Sequence, residues 1–219
     1  MQANRKLATH VKSYLSFYIF VSAIFVTGVI FGVVLVSALT LDMTQEIRRH
    51  LGHFFETMNQ GEELDAVRSF WSIFGMNVKW VLLIWLFGLS VIGLPLILVL
   101  DFFKGALIGF TVGFLAGQYA WKGLLFSLAS VVPQNLILIP VMLIGSVSAL
   151  SFSVYLVKNR FLKQRGTLYQ PLFRYCALAL LLVILTAAVS LYEAYLSPEL
   201  MKQLTPSLVT LFGFVKETV

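Results

Sequence analysis

The stretch WVLLIWLFGLSVIGLPLILVLDFFKGALIGFTVGFLAGQYA, running from Trp80 to Ala120, decides the fold. Its only charges are Asp101 and Lys104, and the apolar segment on either side approaches the ~20 residues that a helix needs to cross ~30 Å of hydrocarbon. The spacing predicts two antiparallel spans, residues 80–100 and 105–120. They are joined by a tight Asp101-Phe102-Phe103-Lys104 connection, whose two charges pair and anchor the turn at the membrane edge.

The rest of the chain is built the same way. Of its 219 residues 59% are hydrophobic and only 12% charged, with a mean hydropathy of +0.89. A soluble domain carries about 25% charged residues, so lipid and not water is the solvent these segments suit. Residues 15–39 form a first span, too long for the apolar core of a cleaved leader even though Arg5, Lys6 and Lys12 precede it. Residues 136–157 and 175–195 form two more. The fold class is therefore all-α, a polytopic transmembrane helix bundle of about five spans in a single membrane domain covering residues 1–219.

One segment resists a simple reading. A straight helix over residues 124–157 would be about 51 Å long, well beyond the hydrocarbon thickness. Pro133 and Pro140 each remove a backbone donor and crowd the preceding turn. The expectation is a proline-broken segment between 124 and 140: a re-entrant or interfacial half-helix at 124–130, then a joint at Pro133, Gln134 and Asn135. The two amides there are placed to satisfy freed backbone groups.

Residues 40–79 make the one long polar loop. Met43, Ile47, Leu51, Phe54 and Met58 recur at helical spacing, with Glu46, Arg49, His50 and His53 opposite them, which predicts an amphipathic helix. Asn59-Gln60-Gly61 breaks it, and Leu64, Val67, Phe70, Trp71 and Phe74 begin a second one leading into the membrane. A helix of this kind lies in the interface or docks on a partner. Leu51, Phe54, Phe55 and Met58 are the docking candidates, together with Glu193 near the end of the last span and the tail 196–219, where Ser197-Pro198-Glu199 has the composition of a helix start.

Charge sets the expected orientation. With the N-terminus in the cytoplasm and five crossings, the inner side holds Arg5, Lys6, Lys12, Lys104, the bases of the loop 158–174, and one acid, Asp101. The other nine acids fall outside. The positive-inside rule then makes residues 40–79 and the tail extracytoplasmic. The net charge of +6 is accounted for by topology signals flanking spans, without a nucleic-acid partner.

Two glycine patterns mark packing faces. Gly28 and Gly32 lie one turn apart in the first span, and Gly105, Gly109, Gly113 and Gly117 run as one stripe down the third. In lipid, small residues let backbones approach, so these are contact surfaces. Packing within the bundle is favoured over a homo-oligomer. Catalytic chemistry finds no support. The three histidines lie outside the later spans, no metalloprotease, nucleotide or nucleophile-elbow motif occurs, and the spacing of Glu46, His50 and His53 lacks a fourth ligand for zinc, so neither a metal nor a cofactor is expected.

The blocks GLPLILVLDFFKGALIGFTVGFLAGQ (93–118), SVVPQNLILIP (130–140), FVSAIFVTGVIFG (20–32) and YEAYLSPELM (192–201) resemble, in order and spacing, the stage II sporulation protein M family. That resemblance implies a non-enzymatic membrane scaffold acting in engulfment of the forespore, in the mother-cell membrane at the sporulation septum. It further implies that the scaffold anchors two peptidoglycan-degrading partners, stage II sporulation proteins P and D, an amidase/endopeptidase and a lytic transglycosylase. Distant relatives carry a proline-histidine-glycine motif with a following glutamate, where this chain has Pro133-Gln134-Asn135 and Leu138. A transporter or permease subunit using the broken helix at 133–140 is the alternative.

Overall fold

The computed structural model describes residues 2–59, 66–90, 92–158 and 169–195, and within them the side chains at 2–14, 52–59 and much of 119–132 fall outside the description. All regular structure among these residues is helical. The order is α1 (Gln2–Ser37), α2 (Leu41–Asn59), α3 (Ala66–Gly88), α4 (Gly93–Ser130), α5 (Val132–Val157) and α6 (Tyr169–Tyr195). All except α2 contain a segment long and apolar enough to cross a membrane: Leu15–Ser37, Val67–Gly88, Gly93–Gln118, Pro133–Val157 and Tyr169–Tyr195. The expected all-α bundle with five such helices is the observed one. The tail at 196–219 and most of the loop 158–174 lie outside the described residues.

The last span begins at Tyr169, six residues before the expected 175, so residues 169–174 belong to α6 and not to the loop; the largest difference lies elsewhere. Asp101-Phe102-Phe103-Lys104 is not a connection but lies inside α4. The chain turns instead at 89–92, where the Ser90 backbone N–H donates to the Phe87 carbonyl at 2.9 Å and the Gly93 N–H to the Ser90 carbonyl at 3.2 Å. A Cβ at Gly93 would overlap the Phe87 carbonyl, so the turn closes only with glycine there. Pro95 follows in the first turn of α4, where a missing N–H costs nothing. α3 starts at Ala66, and residues 67–79, expected in the extracytoplasmic loop, belong to a segment long and apolar enough to cross a membrane.

The glycines set the main helix pair. A Cβ on Gly28 would overlap the Phe102 carbonyl, one on Gly32 the Ala106 carbonyl, one on Gly105 the Phe25 carbonyl and one on Gly109 the Val29 carbonyl. At Gly113 it would lie 3.1 Å from the Val33 Cα. Residue numbers rise together along this seam, so α1 and α4 run parallel with backbone against backbone. Parallel neighbours in a bilayer require an odd number of crossings between them, and α3 supplies it.

The glycine stripe of α4 thus packs within the bundle on α1 and not on α3, its neighbour across the turn. Gly117 takes no part, since a Cβ there meets nothing within 4 Å.

α4 is bent. Ser146 of α5 donates to Asp101 of α4 at 2.8 Å. Measured through α5, whose rise from Val131 to Ser146 is about 22 Å, Asp101 and Val131 lie at most about 30 Å apart, whereas a straight helix would separate them by about 45 Å. The packing against α1 extends through Gly113, so the bend falls beyond it. Residues 124–130, expected as a separate half-helix, are the final turns of α4, and the break comes at Val131. Asn135 donates both its backbone N–H (3.3 Å) and its side-chain amide (2.7 Å) to the Val131 carbonyl, as expected of the joint. Pro133 occupies the first turn of α5, and Pro140 is absorbed inside it on an exposed face.

The core lies between α3, α4, α5 and α6, with Ile84, Ile97, Met142, Val147 and Leu150 buried around Val21 of α1. Tyr175 closes one end of it, stacking on Phe152 (ring centroids 4.6 Å apart) and donating to the Trp85 carbonyl at 2.9 Å.

Gly109→Leu is expected to force α1 and α4 apart and to lower stability by about 1–3 kcal/mol or more, read as a shifted unfolding transition in detergent. Gly117→Leu, two turns along the same stripe, is expected to change stability by less than about 0.5 kcal/mol. Equal losses from the two would show that the seam does not hold the bundle.

Candidate functional site

Because α4 is continuous, Asp101 and Lys104 stand three residues apart on one side of a helix in the middle of its span. Asp101 is wholly buried, with its Oδ1 accepting from Ser146, while Oδ2 has no partner among the described atoms. Lys104, almost a turn further along, extends its ammonium to 5.5 Å from the centre of the Trp80 ring on α3. The same ammonium attracts Glu193 of α6. With its amide nitrogen turned toward α6, Gln134 of α5 donates to the Glu193 carboxylate. Each of α3, α4, α5 and α6 therefore contributes at least one polar or aromatic group to the interior of the bundle, α4 and α5 two each.

Its chemistry is cohesive. Charges in hydrocarbon are expensive unless they face the bundle interior and one another, and polar groups between membrane helices act as links. Among the described residues no three His, Cys, Asp or Glu side chains come together. Of the two described cavities the larger, about 400 Å³, lies between α1, α5 and α6, lined by Tyr18, Phe152, Tyr155, Gln170 and Arg174, away from Glu193 and Gln134.

The second element is α2. Its polar face bears Glu46, Arg49 and His50, all exposed, and Ile47 and Leu51 lie half-buried on the other. Arg48 ties it to the end of the α4 span, both its Nε (2.7 Å) and its Nη2 donating to the Gln118 side-chain oxygen. The side chains of His53, Phe54, Phe55 and Met58 lie outside the described residues. Glu193, a docking candidate near the end of the last span, meets Gln134 inside the bundle.

Reading the sequence alone missed Asp101, Lys104 and Trp80 as a group. A usable signal was present: Asp-Phe-Phe-Lys contains no glycine or proline and so makes a poor turn, whereas Gly93-Leu94-Pro95 has the composition of a turn followed by a helix start.

No curated protein and no solved structure matches the chain significantly. The family model for stage II sporulation protein M matches residues 21–198, from within α1 to just past α6. This range includes the glycine seam, the polar cluster, the bent helix and α2, and the chain belongs to the stage II sporulation protein M family.

Proposed function

We propose that this sporulation-family membrane protein is a non-catalytic scaffold, which anchors and recruits peptidoglycan-degrading partners while the mother-cell membrane engulfs the forespore. Stage II sporulation proteins P and D are the partners this reading takes from the family resemblance. The observation that carries it is α2: a 19-residue amphipathic helix outside the spans, held at the end of the α4 span by Arg48 and Gln118. Such a helix is fixed in position yet retains an apolar face to offer.

The orientation that suits this role has the N-terminus in the cytoplasm, and α2 and the C-terminus beyond the membrane. With Asp101 and Lys104 removed from the loops, the inner flanks hold Arg5, Lys6, Lys12, Lys158, Arg160, Lys163, Arg165 and Arg174 and no acid, which strengthens the positive-inside argument. Peptidoglycan lies on the side where α2 would then be displayed.

A permease function draws on the polar cluster, which puts more ionisable material at membrane depth than the sequence led one to expect. Against it, Gln134 and Glu193 are committed to each other and the larger described cavity lies elsewhere.

Phe54→Glu combined with Phe55→Glu is expected to leave the protein in the membrane at normal levels while a fluorescent fusion of the partner hydrolase loses most of its enrichment at the septum. Unchanged enrichment would remove α2 as the docking element. A reporter fused after Val219 is expected to be active only outside the cytoplasm. Purified protein in proteoliposomes is expected to show no solute flux above empty vesicles, and a flux abolished by Gln134→Ala would favour the permease.

A further inference from the structure

Lys79 is exposed on the outside of the bundle, on α3, in the middle of a membrane span. It follows Ala66 by 13 residues and precedes Gly88 by nine, which puts its Cα about 20 Å from one end of the helix and about 14 Å from the other at 1.5 Å per residue. α3 must cross completely, because α1 and α4 are parallel and it is the crossing between them. A stretched lysine reaches only about 6 Å, and side chains on a helix lean toward its N-terminus, here the farther end. The ammonium of Lys79 therefore stays in hydrocarbon.

Charged side chains at such depth are rare and ordinarily face a bundle interior, water or an opposite charge, since exposing a lysine to lipid at a helix centre is costly. Among the described residues nothing compensates it. Of the charged groups on the helices around α3, Asp101 is buried against Ser146, Lys104 lies over the Trp80 ring, and Glu193 meets Gln134 inside the bundle. The described acids of α2, Asp42 and Glu46, lie outside the spans.

The surface around Lys79 fits a helix. Ser72 and Met76 are exposed on the same side, Gly75 lies between them, and a Cβ at Gly75 would meet nothing within 4 Å. Leu82, Leu83 and Leu86 continue the strip toward the inner end. A helix can thus approach closely beside Gly75 and pack on leucines below, with one charge to satisfy between.

We infer that this face of α3 binds a transmembrane helix of a different protein, bearing a carboxylate at the level of Lys79. A second copy of this chain does not fit, because its acids at that depth are turned inward and its own Lys79 would be repelled. The surface is separate from α2 and stands whether or not α2 recruits hydrolases.

The test reconstitutes the full chain in liposomes with synthetic single-span Leu/Ala helices carrying Glu, Gln or Lys at the centre, and reads association by energy transfer. The chain is expected to bind the Glu helix at least about tenfold more tightly than the Lys helix. Lys79→Glu reverses that order, and Lys79→Leu, which inserts more readily, abolishes the preference. Gly75→Leu, which meets no neighbour within the protein, weakens binding of the Glu helix while leaving the unfolding transition unchanged. Equal binding of the Glu and Lys helices overturns the inference. So does energy transfer between copies of the chain that Lys79→Leu removes, which would make the face a homodimer contact, or rapid labelling of Lys79→Cys by a water-soluble maleimide, which would put the position in water.

Discussion

The contact between α1 and α4 governs the architecture. In lipid there is little hydrophobic gain from bringing two helices together, because the tails are as apolar as leucine, so association depends on how closely the backbones can approach. Gly28 and Gly32 on one helix and Gly105 and Gly109 on the other remove the side chains that would hold them apart. The pair is also parallel, and that has a topological consequence: the chain must return across the membrane once between them. α3 is therefore obliged to cross although it is less apolar than the other spans and carries Arg68 and Lys79.

A second consequence concerns polar groups. Once α4 is one helix from Gly93, Asp101 and Lys104 cannot sit at the membrane edge, and the remaining helices must provide for them. Ser146 does so for Asp101, and Trp80 and Glu193 for Lys104, with Gln134 completing the set. The proline joint has its place here too. Breaking the chain at Val131, beyond the bend in α4, directs α5 so that Ser146 arrives beside Asp101 and Gln134 beside Glu193. The prolines shape the path of the chain, and the amides on either side of the break then serve different ends: Asn135 caps the local turn, Gln134 links two helices.

Much of this was legible in the residues. The number of apolar helices followed from hydropathy, α2 from its 3.6-residue period, the helix break from Pro133, and the glycine seam from the four-residue spacing. What could not be read was which face each glycine meets, because spacing identifies a face but not the neighbour opposite it. The turn was misplaced for a related reason. Charge was taken as the sign of the membrane edge, a rule that holds for isolated residues in lipid and fails where a bundle supplies partners. Asp101 and Lys104 looked like a loop because they are charged; the backbone turned where Gly93 let it close, among residues with no charge at all.

The charged groups at depth divide by the direction they face, and the division bears on what a membrane scaffold can recognise. Asp101, Lys104 and Glu193 meet Ser146, Trp80 and Gln134 inside the bundle, so they consolidate it and offer little to a partner. Hydrophobic area distinguishes one transmembrane helix from another poorly, since every such helix is apolar and lipid competes for the same surface. A charge directed outward does distinguish them, because the wrong partner leaves it stranded and only a complementary one relieves it. For the proposed scaffold, recognition within the bilayer would then reside in its few outward polar groups, and recognition beyond the bilayer in the amphipathic helix held at the end of the α4 span by Arg48.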